Sequence, residues 1–299
     1  MRHYSPLRYP GGKAKLSEYI KLILKHNFLF DGYYVEPYCG GASIAFDLLL
    51  NEFVSKIIIN DIDKAIYAFW HSVLYETEKL CRYIIDTPIT TEQWEKHRDI
   101  YREQSMNKDL IELGFSMFFL NRTNRSGILK GGVIGGLAQN GKWKIDARFN
   151  KKDLVKRIQK IALYRDRINI SNQDALVFLK KIQQQLPRKT LIYLDPPYYN
   201  KGKDLYLNYY NDKDHRNIAK YIKRFTSRFW IISYDDVNEI RNLYTDYPKI
   251  TYKLNYSANN FYKGSEVIIF SKKLVIPDLI EPTDKTEIKK LIANDVFYL

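Results

Sequence analysis

The sequence predicts an α/β protein built on a doubly wound parallel sheet that a mainly helical insertion interrupts. Strand-like and helix-like segments alternate near the N-terminal end in the rhythm of a βαβ unit, in the order Tyr33–Val35, Ala42–Leu50 and Lys56–Asn60. This alternation stops after Asp63, and strand-like segments return only beyond residue 150. We therefore predict one sheet domain formed by residues 1–63 and 151–275, with residues 64–150 inserted as a separate subdomain.

Each remaining element has its own signal in the sequence. Apolar residues from Leu16 to Leu24 recur at helical spacing and predict a helix, whereas residues 64 to about 120 are helical and aromatic throughout. Later strands are short apolar runs at Ile168–Ile170, Leu191–Leu194 and Phe229–Ser233. The last two predicted strands flank a turn at Asn259–Gly264 and should form an antiparallel hairpin, Ile250–Leu254 with Val267–Phe270. The C-terminal residues 276–299 carry no functional signal.

Composition excludes several classes of protein. The chain has 299 residues, of which 45% are hydrophobic and 27% charged, as in ordinary globular proteins. No apolar run approaches the ~20 residues of a membrane span, and the first residues lack a secretory signal, so we expect a cytoplasmic protein without a membrane partner. The two cysteines, Cys39 and Cys81, give no disulfide framework. No metal site is predicted, because the histidines lack partners at metal-binding spacing.

Positive charge is concentrated in one part of the chain. The formal net charge is +14, and the segment from Asn121 to Arg165 holds twelve basic and two acidic residues, a net +10. A bias toward AT-rich codons could raise the overall lysine content, but it would not cluster charge in this way. The clustering favours a polyanionic partner over a solvated basic face.

The segment Asp195-Pro196-Pro197-Tyr198 directly follows the apolar run Leu191–Leu194. Proline has no N–H group, so the backbone here offers carbonyl oxygens, and the Asp195 carboxylate adds two more acceptors. Such acceptors suit an amino group attached to a flat ring, whose face Tyr198 could cover. The alternative interpretation is an ordinary strand that ends in a Pro-Pro turn.

A glycine turn, Glu36-Pro37-Tyr38-Cys39-Gly40-Gly41-Ala42, joins the first strand to a helix. Such a turn lets a ligand approach the backbone at the carboxyl end of the sheet. Asp61 ends the next strand, about 20 residues further on, where an acid can hold both hydroxyls of a ribose; a helix N-cap is an equal alternative. The chain lacks a nucleoside triphosphate loop and the full dinucleotide pattern. A ribose site with a weak phosphate site fits S-adenosylmethionine.

Five motifs together resemble one known family. They occur in the order Tyr9-Pro10-Gly11-Gly12-Lys13, Glu36–Ala42, Asn60-Asp61, Asn121-Arg122-Thr123 and Asp195–Tyr198. This ordered set resembles the Dam-type (alpha group) DNA adenine N6-methyltransferases, over the chain from about Tyr4 to Phe270. The resemblance implies a Rossmann-like sheet that binds S-adenosylmethionine, with an inserted helical subdomain that recognises duplex DNA. Ala42 stands where the family commonly has the last glycine of its first motif.

The resemblance also implies roles for individual residues. Tyr9 and Lys13 would contact S-adenosylmethionine, Lys13 through the methionine carboxylate, and Asp61 would bind the ribose. Asp174 resembles the family position near the cofactor adenine. The first motif would contribute Glu36, Pro37, Tyr38, Gly40 and Gly41 to the cofactor site. Asp195 would lie beside both the methionine amino group and the target base.

The chemistry of adenine gives the Asp195–Tyr198 segment a mechanism. The 6-amino lone pair is delocalised into the ring, so the amine is a poor nucleophile. Asp195 and the Pro196 carbonyl can accept its two hydrogens and localise the lone pair, while positioning supplies much of the rate. Tyr198 would stack on the base after it leaves the duplex, at a cost of a few kcal/mol. Tyr198 as a plain core aromatic is the alternative.

The basic segment supplies the predicted DNA contacts. Arginine and asparagine have the geometry to read base edges, and lysine to bind phosphates. The predicted contacts to DNA are Arg122, Asn124, Arg125, Ser126 and Lys130, and the predicted phosphate contacts are Lys142, Lys144, Lys151 and Lys152.

The predicted function is therefore site-specific methylation of adenine N6 in duplex DNA, either by an orphan enzyme or by the modification partner of a restriction endonuclease. Two alternatives stay open at this point. One is an RNA adenine or DNA cytosine-N4 methyltransferase that uses the same tetrapeptide. The other is an inactive DNA-binding homologue, which would predict damaged cofactor residues. The sequence does not predict the target site or the oligomeric state.

Overall fold

A seven-stranded mixed sheet with flanking helices forms the centre of the protein in this computed structural model. The structure describes residues 4–8, 13–104, 106, 109–200, 210–256, 262–278, 282–284, 286–288 and 291. The strands are β1 (Gly32–Glu36), β2 (Val54–Asn60), β3 (Ile168–Ser171), β4 (Thr190–Leu194), β5 (Phe229–Asp235), β6 (Lys249–Tyr256) and β7 (Tyr262–Phe270).

Helices connect and cover these strands. A short 3₁₀ turn at Lys13–Leu16 leads into the first of them. In the described residues the helices are α1 (Ser17–His26), α2 (Ser43–Leu50), α3 (Lys64–Tyr75), α4 (Thr77–Asp86), α5 (Thr91–Arg102), α6 (Leu110–Thr123), α7 (Lys151–Ala162), α8 (Ala175–Ile182), α9 (Asp212–Ile222) and α10 (Asn238–Leu243).

The strand order confirms the predicted fold class. The sheet runs β3-β2-β1-β4-β5-β7-β6, and the first five strands in this order are parallel. The order 3-2-1-4-5 is that of the doubly wound Rossmann-like sheets, in which ligands bind beyond the carboxyl ends of the strands. The prediction of a final antiparallel hairpin is also confirmed, because β6 pairs antiparallel with β7. β7 lies between β5 and β6 and pairs antiparallel with β5 as well.

The sheet separates two hydrophobic cores, as the two-residue period of a strand requires. In β1, Tyr34 belongs to one core and the next residue, Val35, belongs to the other. Both side chains are fully buried. The parallel strands are consequently apolar on both faces, which explains why they read as continuous hydrophobic runs.

The helical segment after β2 packs as a continuation of the larger core. Helices α3 and α6 lie so close that a Cβ added at Gly114 would come within 2.7 Å of the Ala68 backbone. Phe69 and Phe118 stack across this contact, with ring centres 5.2 Å apart. Helix α3 thus joins the sheet to the helices that follow it.

Neither a membrane-spanning helix nor a metal cluster is found in the part of the chain that the structure describes. No helix there is both long and apolar enough to cross a bilayer. No group of three or more His, Cys, Asp or Glu side chains in those residues could hold a metal ion.

Candidate active site

The glycine turn after β1 and the acid after β2 meet at the carboxyl edge of the sheet. The Gly40 amide donates a hydrogen bond to Asp61 Oδ2 at 2.9 Å. From the other side, Trp70 Nε1 of α3 donates to the Gly40 carbonyl at 2.9 Å. Gly40 and Ala42 have φ values of +43° and +45°, so Ala42 adopts a left-handed conformation that costs an alanine roughly 1–2 kcal/mol. The hydrogen bonds of Gly40 with Asp61 and Trp70 hold this strained turn in place.

Asn60 connects two loops at the same edge of the sheet by hydrogen bonds. Its side-chain Nδ2 donates to the Pro37 carbonyl at 3.0 Å and to the Gln173 carbonyl at 2.9 Å. Its Oδ1 accepts from the Gln173 amide at 3.0 Å. This fully buried asparagine therefore joins the loops that follow β1 and β3, a positioning role that the sequence did not reveal.

Two acids at this edge hold their protons more tightly than usual. Burial raises the pKa of Asp61 to about 7, aided by the neighbouring Asp63 carboxylate. Burial likewise raises the pKa of Glu36 to about 8, and the Tyr34 hydroxyl donates to its Oε1 at 2.8 Å. Glu36 therefore lies inside the protein as a largely protonated acid near pH 7, whereas Asp61 is only partly buried.

Asp195 lies at the end of β4 in a cluster of polar side chains. Its Oδ1 lies 3.0 Å from Lys13 Nζ and accepts from Ser233 Oγ at 2.8 Å. Lys13 Nζ also lies 2.7 Å from Glu266 Oε2 and 3.3 Å from Ser233 Oγ. The Lys13 ammonium thus bridges two carboxylates, and its three N–H groups have acceptors within the protein.

The charges of this cluster offset one another. Burial opposes charge on Lys13, but the carboxylates outweigh it, so the pKa of Lys13 stands well above its ordinary value. Burial raises the pKa of Asp195, Lys13 lowers it, and the charge of Glu266 raises it again, with a net upward shift. Lys13 therefore stays protonated beside Asp195 at every pH near neutrality.

Tyr198 is placed behind Asp195 and is buried, with 4% of its surface exposed. Its hydroxyl donates to Glu266 Oε1 at 2.7 Å, and Lys13 Nζ lies 5.5 Å from the centre of its ring. The next two backbone amides, of Tyr199 and Asn200, donate to the Asp235 carboxylate at 2.8 and 3.0 Å. Carboxylates of β5 and β7 therefore hold the backbone and side chains that follow Asp195.

Other predicted cofactor residues are placed as follows. Asp174 caps helix α8, because its Oδ1 accepts from the Leu176 and Val177 amides at 3.0 and 3.1 Å. The Tyr38 hydroxyl lies 2.9 Å from that of Tyr210. Gly41 accepts at its carbonyl from Ser5 Oγ at 2.6 Å. Tyr9 and the three residues after it lie outside the described residues.

Asn124, a predicted DNA contact, lies inside the protein in this structure. This residue follows the end of α6 and is 0% exposed. Its Oδ1 accepts from Trp94 Nε1 at 2.6 Å, and its Nδ2 donates to the Ile128 and Leu129 carbonyls at 2.9 and 3.1 Å. Because carbonyls after a helix end need donors, the turn has used the amide that a base edge would have required.

Arg122 and Asn121 are also directed toward the protein. Arg122 donates to the Arg148 carbonyl and, at 3.4 Å, to the Pro6 carbonyl. Burial, together with the charges of Arg8 and Arg157, lowers the pKa of Arg122 to about 10. Asn121 holds the backbone of Arg8, accepting from its amide at 2.8 Å and donating to its carbonyl at 2.6 Å. In this structure the Arg122 guanidinium thus holds backbone carbonyls of the protein, and its contact with DNA stays a prediction.

The remaining predicted DNA contacts differ in exposure. Ser126 is half-buried in a left-handed conformation (φ +55°). Lys151 donates to the Ile85 and Thr87 carbonyls at the end of α4, at 2.6 and 2.8 Å, so it caps that helix. Those whose side chains are exposed are Arg125, Lys130, Lys142, Lys144 and Lys152.

Sequence reasoning missed two features of the site. Trp143 is 62% exposed, and Lys142 and Arg148 lie about its ring at 5.9 and 6.0 Å from its centre. Glu266 is 0% exposed although it is charged. A single acid ahead of the apolar run Val267–Phe270 was the available signal for Glu266, because a charge at a strand position facing the core needs a partner.

Fold and site together define an α/β protein of the doubly wound class, with a carboxylate and two prolines at the carboxyl edge of its sheet. Residues 9–258 match the family of D12 class N6 adenine-specific DNA methyltransferases. The chain belongs to this family, and the resemblance stated above is confirmed. It is an adenine-specific DNA methyltransferase, so its substrate is DNA and its methyl donor is of the S-adenosylmethionine type. The family acts on adenine in DNA, which decides against the RNA and cytosine-N4 alternatives.

Individual relatives are more distant. The chain is 24% identical over 240 residues to the type II methyltransferase M.MjaIII of Methanocaldococcus jannaschii. The aligned region covers 74% of this chain and 80% of that protein. Among solved structures, a Pyrococcus horikoshii protein proposed to be an RNA methyltransferase aligns with 89% of this chain and 87% of its own, at 9% identity and a TM-score of 0.40. That score is too low to carry an argument.

Proposed function

We propose that the chain methylates adenine N6 in duplex DNA with Asp195 and the Pro196 carbonyl as the acceptors that activate the amine. The observation that supports this most directly is the cluster around Asp195. Lys13 and Ser233 hold one oxygen of its carboxylate at 3.0 and 2.8 Å, which fixes the orientation of the group. A carboxylate held in this way is preorganised for a hydrogen of the target amine.

We place S-adenosylmethionine at the carboxyl ends of β1 and β2, and the residues there fit its adenosine and methionine ends. Gly40 and Gly41 permit close approach to the backbone, and the Asp61 carboxylate, already aligned by Gly40, would accept from the ribose hydroxyls. Tyr9, Glu36, Pro37, Tyr38 and Asp174 complete the proposed site. The cofactor supplies an electrophilic methyl group.

Lys13 has a different role in this proposal from the one that the sequence indicated. Its ammonium lies within 3.0 Å of the carboxylates of Asp195 and Glu266 and 3.3 Å from Ser233 Oγ, so binding a cofactor carboxylate would require it to give up one of these three acceptors. We propose that Lys13 instead holds Asp195 ionised and oriented. An ionised Asp195 accepts a hydrogen bond from the amine, which localises the nitrogen lone pair.

Proton loss completes the reaction at the amine. Once the nitrogen is methylated it carries a positive charge and becomes acidic, so no strong base is needed. Asp195 is the carboxylate that its N–H would already contact, and the raised pKa of Asp195 favours accepting that proton. Tyr198 would form the wall of the base pocket behind the two prolines Pro196 and Pro197, and base flipping brings adenine there.

Residues 64–150 are proposed as the part that recognises the DNA, within a catalytic unit formed by residues 1–63 and 151–275. The exposed cations Arg125, Lys130, Lys142 and Lys144 supply charge for phosphates and, in the case of Arg125, a planar fork for a guanine edge. Arg122 contributes indirectly: burial and the charges of Arg8 and Arg157 lower its pKa, and a phosphate nearby would offset that repulsion.

A role beside a restriction endonuclease is a second element of the proposal. It is supported by the similarity to M.MjaIII, which is described as a type II methyltransferase. In that role the methyl group would block cleavage of the same DNA sequence by a partner nuclease.

The test is transfer of tritium from labelled S-adenosylmethionine to unmethylated duplex DNA, followed by nucleoside analysis. We expect the label as N6-methyldeoxyadenosine and at one short sequence only. Label in deoxycytidine, or in RNA in preference to DNA, would contradict the proposal. Catalytic residues are then tested by variants of Asp195, with DNA binding as the control.

A further inference from the structure

Glu266 lies in β7, beyond the residues 9–258 that match the family. It is a fully buried carboxylate, and burying a charge is unfavourable unless its partners offset the loss of water. The partners that it has in the structure therefore indicate what it is for.

Every described partner of Glu266 belongs to the site or supports it. Its Oε2 lies 2.7 Å from Lys13 Nζ and also accepts from the hydroxyl of Tyr252. Its Oε1 accepts from the Tyr198 hydroxyl at 2.7 Å. One carboxylate thus contacts the cation that orients Asp195 and the aromatic ring proposed for the base pocket.

The sheet fixes where this carboxylate points. Glu266 is directly opposite Asp235 in the β5–β7 ladder and opposite Tyr252 in the β6–β7 ladder. Residues directly opposite each other in an antiparallel pair place their side chains on the same face. Asp235 takes the Tyr199 and Asn200 amides while Glu266 takes Tyr198, so adjacent carboxylates hold consecutive residues of one loop.

Resting on the function proposed above, we infer that Glu266 is a positioning residue for methyl transfer, which holds Lys13 and the Tyr198 hydroxyl in place so that Asp195 and the base pocket keep their relative geometry. It does not touch the reacting atoms. Its removal lets Lys13 and Tyr198 move independently, and a displacement of about 1 Å at a reacting centre can cost about 100-fold in rate.

The substitution Glu266→Gln tests this at nearly constant volume. Glutamine keeps one acceptor oxygen, but its amide cannot form the ion pair with Lys13. We expect kcat to fall about 10- to 100-fold, with the Kd for S-adenosylmethionine and the KM for DNA within about threefold of wild type. The matched control is Glu239→Gln, the same substitution at an exposed position of α10, which should leave kcat unchanged.

A second variant, Tyr198→Phe, removes only the hydroxyl that donates to Glu266. We expect it to lower kcat about tenfold, since a hydrogen bond to a charged group is lost. Because both changes loosen the same network around the Glu266 carboxylate, the double variant should be no more than about twofold slower than Glu266→Gln alone. Tyr198→Phe also keeps the inference testable if Glu266→Gln does not fold.

The outcomes separate this inference from the proposed function. If wild type and Glu239→Gln methylate adenine and Glu266→Gln does so at the same kcat, the positioning role is wrong and the function stands. The inference would also be overturned if the kcat reductions of the two single variants multiplied in the double variant. Glu266 and the Tyr198 hydroxyl would then affect the rate independently of each other. No methyl transfer by wild type would instead remove the proposed function.

Discussion

The carboxyl edge of the sheet and the basic segment from Asn121 to Arg165 differ in how far their sequence motifs predict side-chain direction. At the sheet edge, residues from distant motifs converge, with Lys13 Nζ 3.0 Å from the Asp195 carboxylate. In the basic segment, Asn124 faces the interior while Arg125 beside it is exposed. A motif at the end of a buried strand has its direction set by the sheet, whereas a motif after a helix must first satisfy the turn.

The substitution expected to have the largest effect is Asp195→Ala, at the sheet edge. Removal of the acceptor for the amine should lower kcat by about 100- to 1,000-fold, the range seen when one preorganised electrostatic group is removed. DNA affinity, which depends on the other region, should stay within about threefold of wild type. Tritium transfer and gel-shift titration measure the two quantities. Methylation at a near wild-type rate would show that the amine is activated elsewhere.

The neighbouring residues Asn124 and Arg125 form a matched pair. Asn124→Ala removes the acceptor of Trp94 Nε1 and one donor from each of two carbonyls, so the free energy of unfolding should fall by about 2–4 kcal/mol. Arg125→Ala should leave that free energy within about 0.5 kcal/mol and weaken DNA binding about tenfold.

Urea denaturation and gel-shift titration of the Asn124 and Arg125 variants give both numbers. The comparison would break if Asn124→Ala kept full stability but lost DNA affinity. In that case the buried amide would have to turn outward on binding.

At the sheet edge, the affinity for S-adenosylmethionine should depend on pH through Asp61. Its pKa of about 7 means that the carboxylate is ionised above that pH and accepts from both ribose hydroxyls, whereas the protonated acid below it does not. The Kd should therefore rise as pH falls through about 7, by up to tenfold per unit. Calorimetric titration between pH 6 and 8.5, roughly one unit on either side, measures this.

Asp61→Asn is the control for that pH dependence. The variant should bind more weakly and lose most of the slope, because the amide does not titrate. An unchanged slope would assign the pH dependence to another group, such as Glu36.

The smallest expected effect concerns the exposed lysines. Lys142→Ala should lower the slope of log K against log salt by about 0.9, the value for one phosphate contact, and should not change stability. Lys151→Ala is the matched control, since Lys151 caps α4 through the Ile85 and Thr87 carbonyls. It should lower stability and leave the slope as it is. Equal slopes for Lys142→Ala and wild type would show that Lys142 does not contact a DNA phosphate.

Much of the fold could be predicted because its signals are local. The apolar runs of β1 to β5 predicted the parallel sheet, and the strand–turn–helix order placed Gly40 and Asp61 together. The edge of the sheet then determined where Asp195 would lie. These inferences need only the period of a strand and the rule that carboxyl ends of parallel strands share an edge.

What could not be predicted depends on contacts between residues far apart in the chain. Lys13 was expected to face the cofactor, but its partners Asp195 and Glu266 come from strands whose pairing the sequence does not specify. Asn124 has the chemistry of a base reader, and only the position of Trp94 shows that its amide is already used. A polar side chain can bind a ligand or hydrogen-bond to the protein itself. Its exposure therefore has to be known before a function can be assigned to it.

The place of β7 in the sheet has a consequence for how the enzyme is made. A ribosome releases Lys13 first and Glu266 only 253 residues later, after the cofactor turn and the Asp195–Tyr198 segment have both emerged. Until β7 inserts beside β5, a nascent chain holds every motif of the family without the carboxylate that aligns them. We expect such chains not to methylate DNA, so that activity begins only after β7 has been synthesised and has paired with β5.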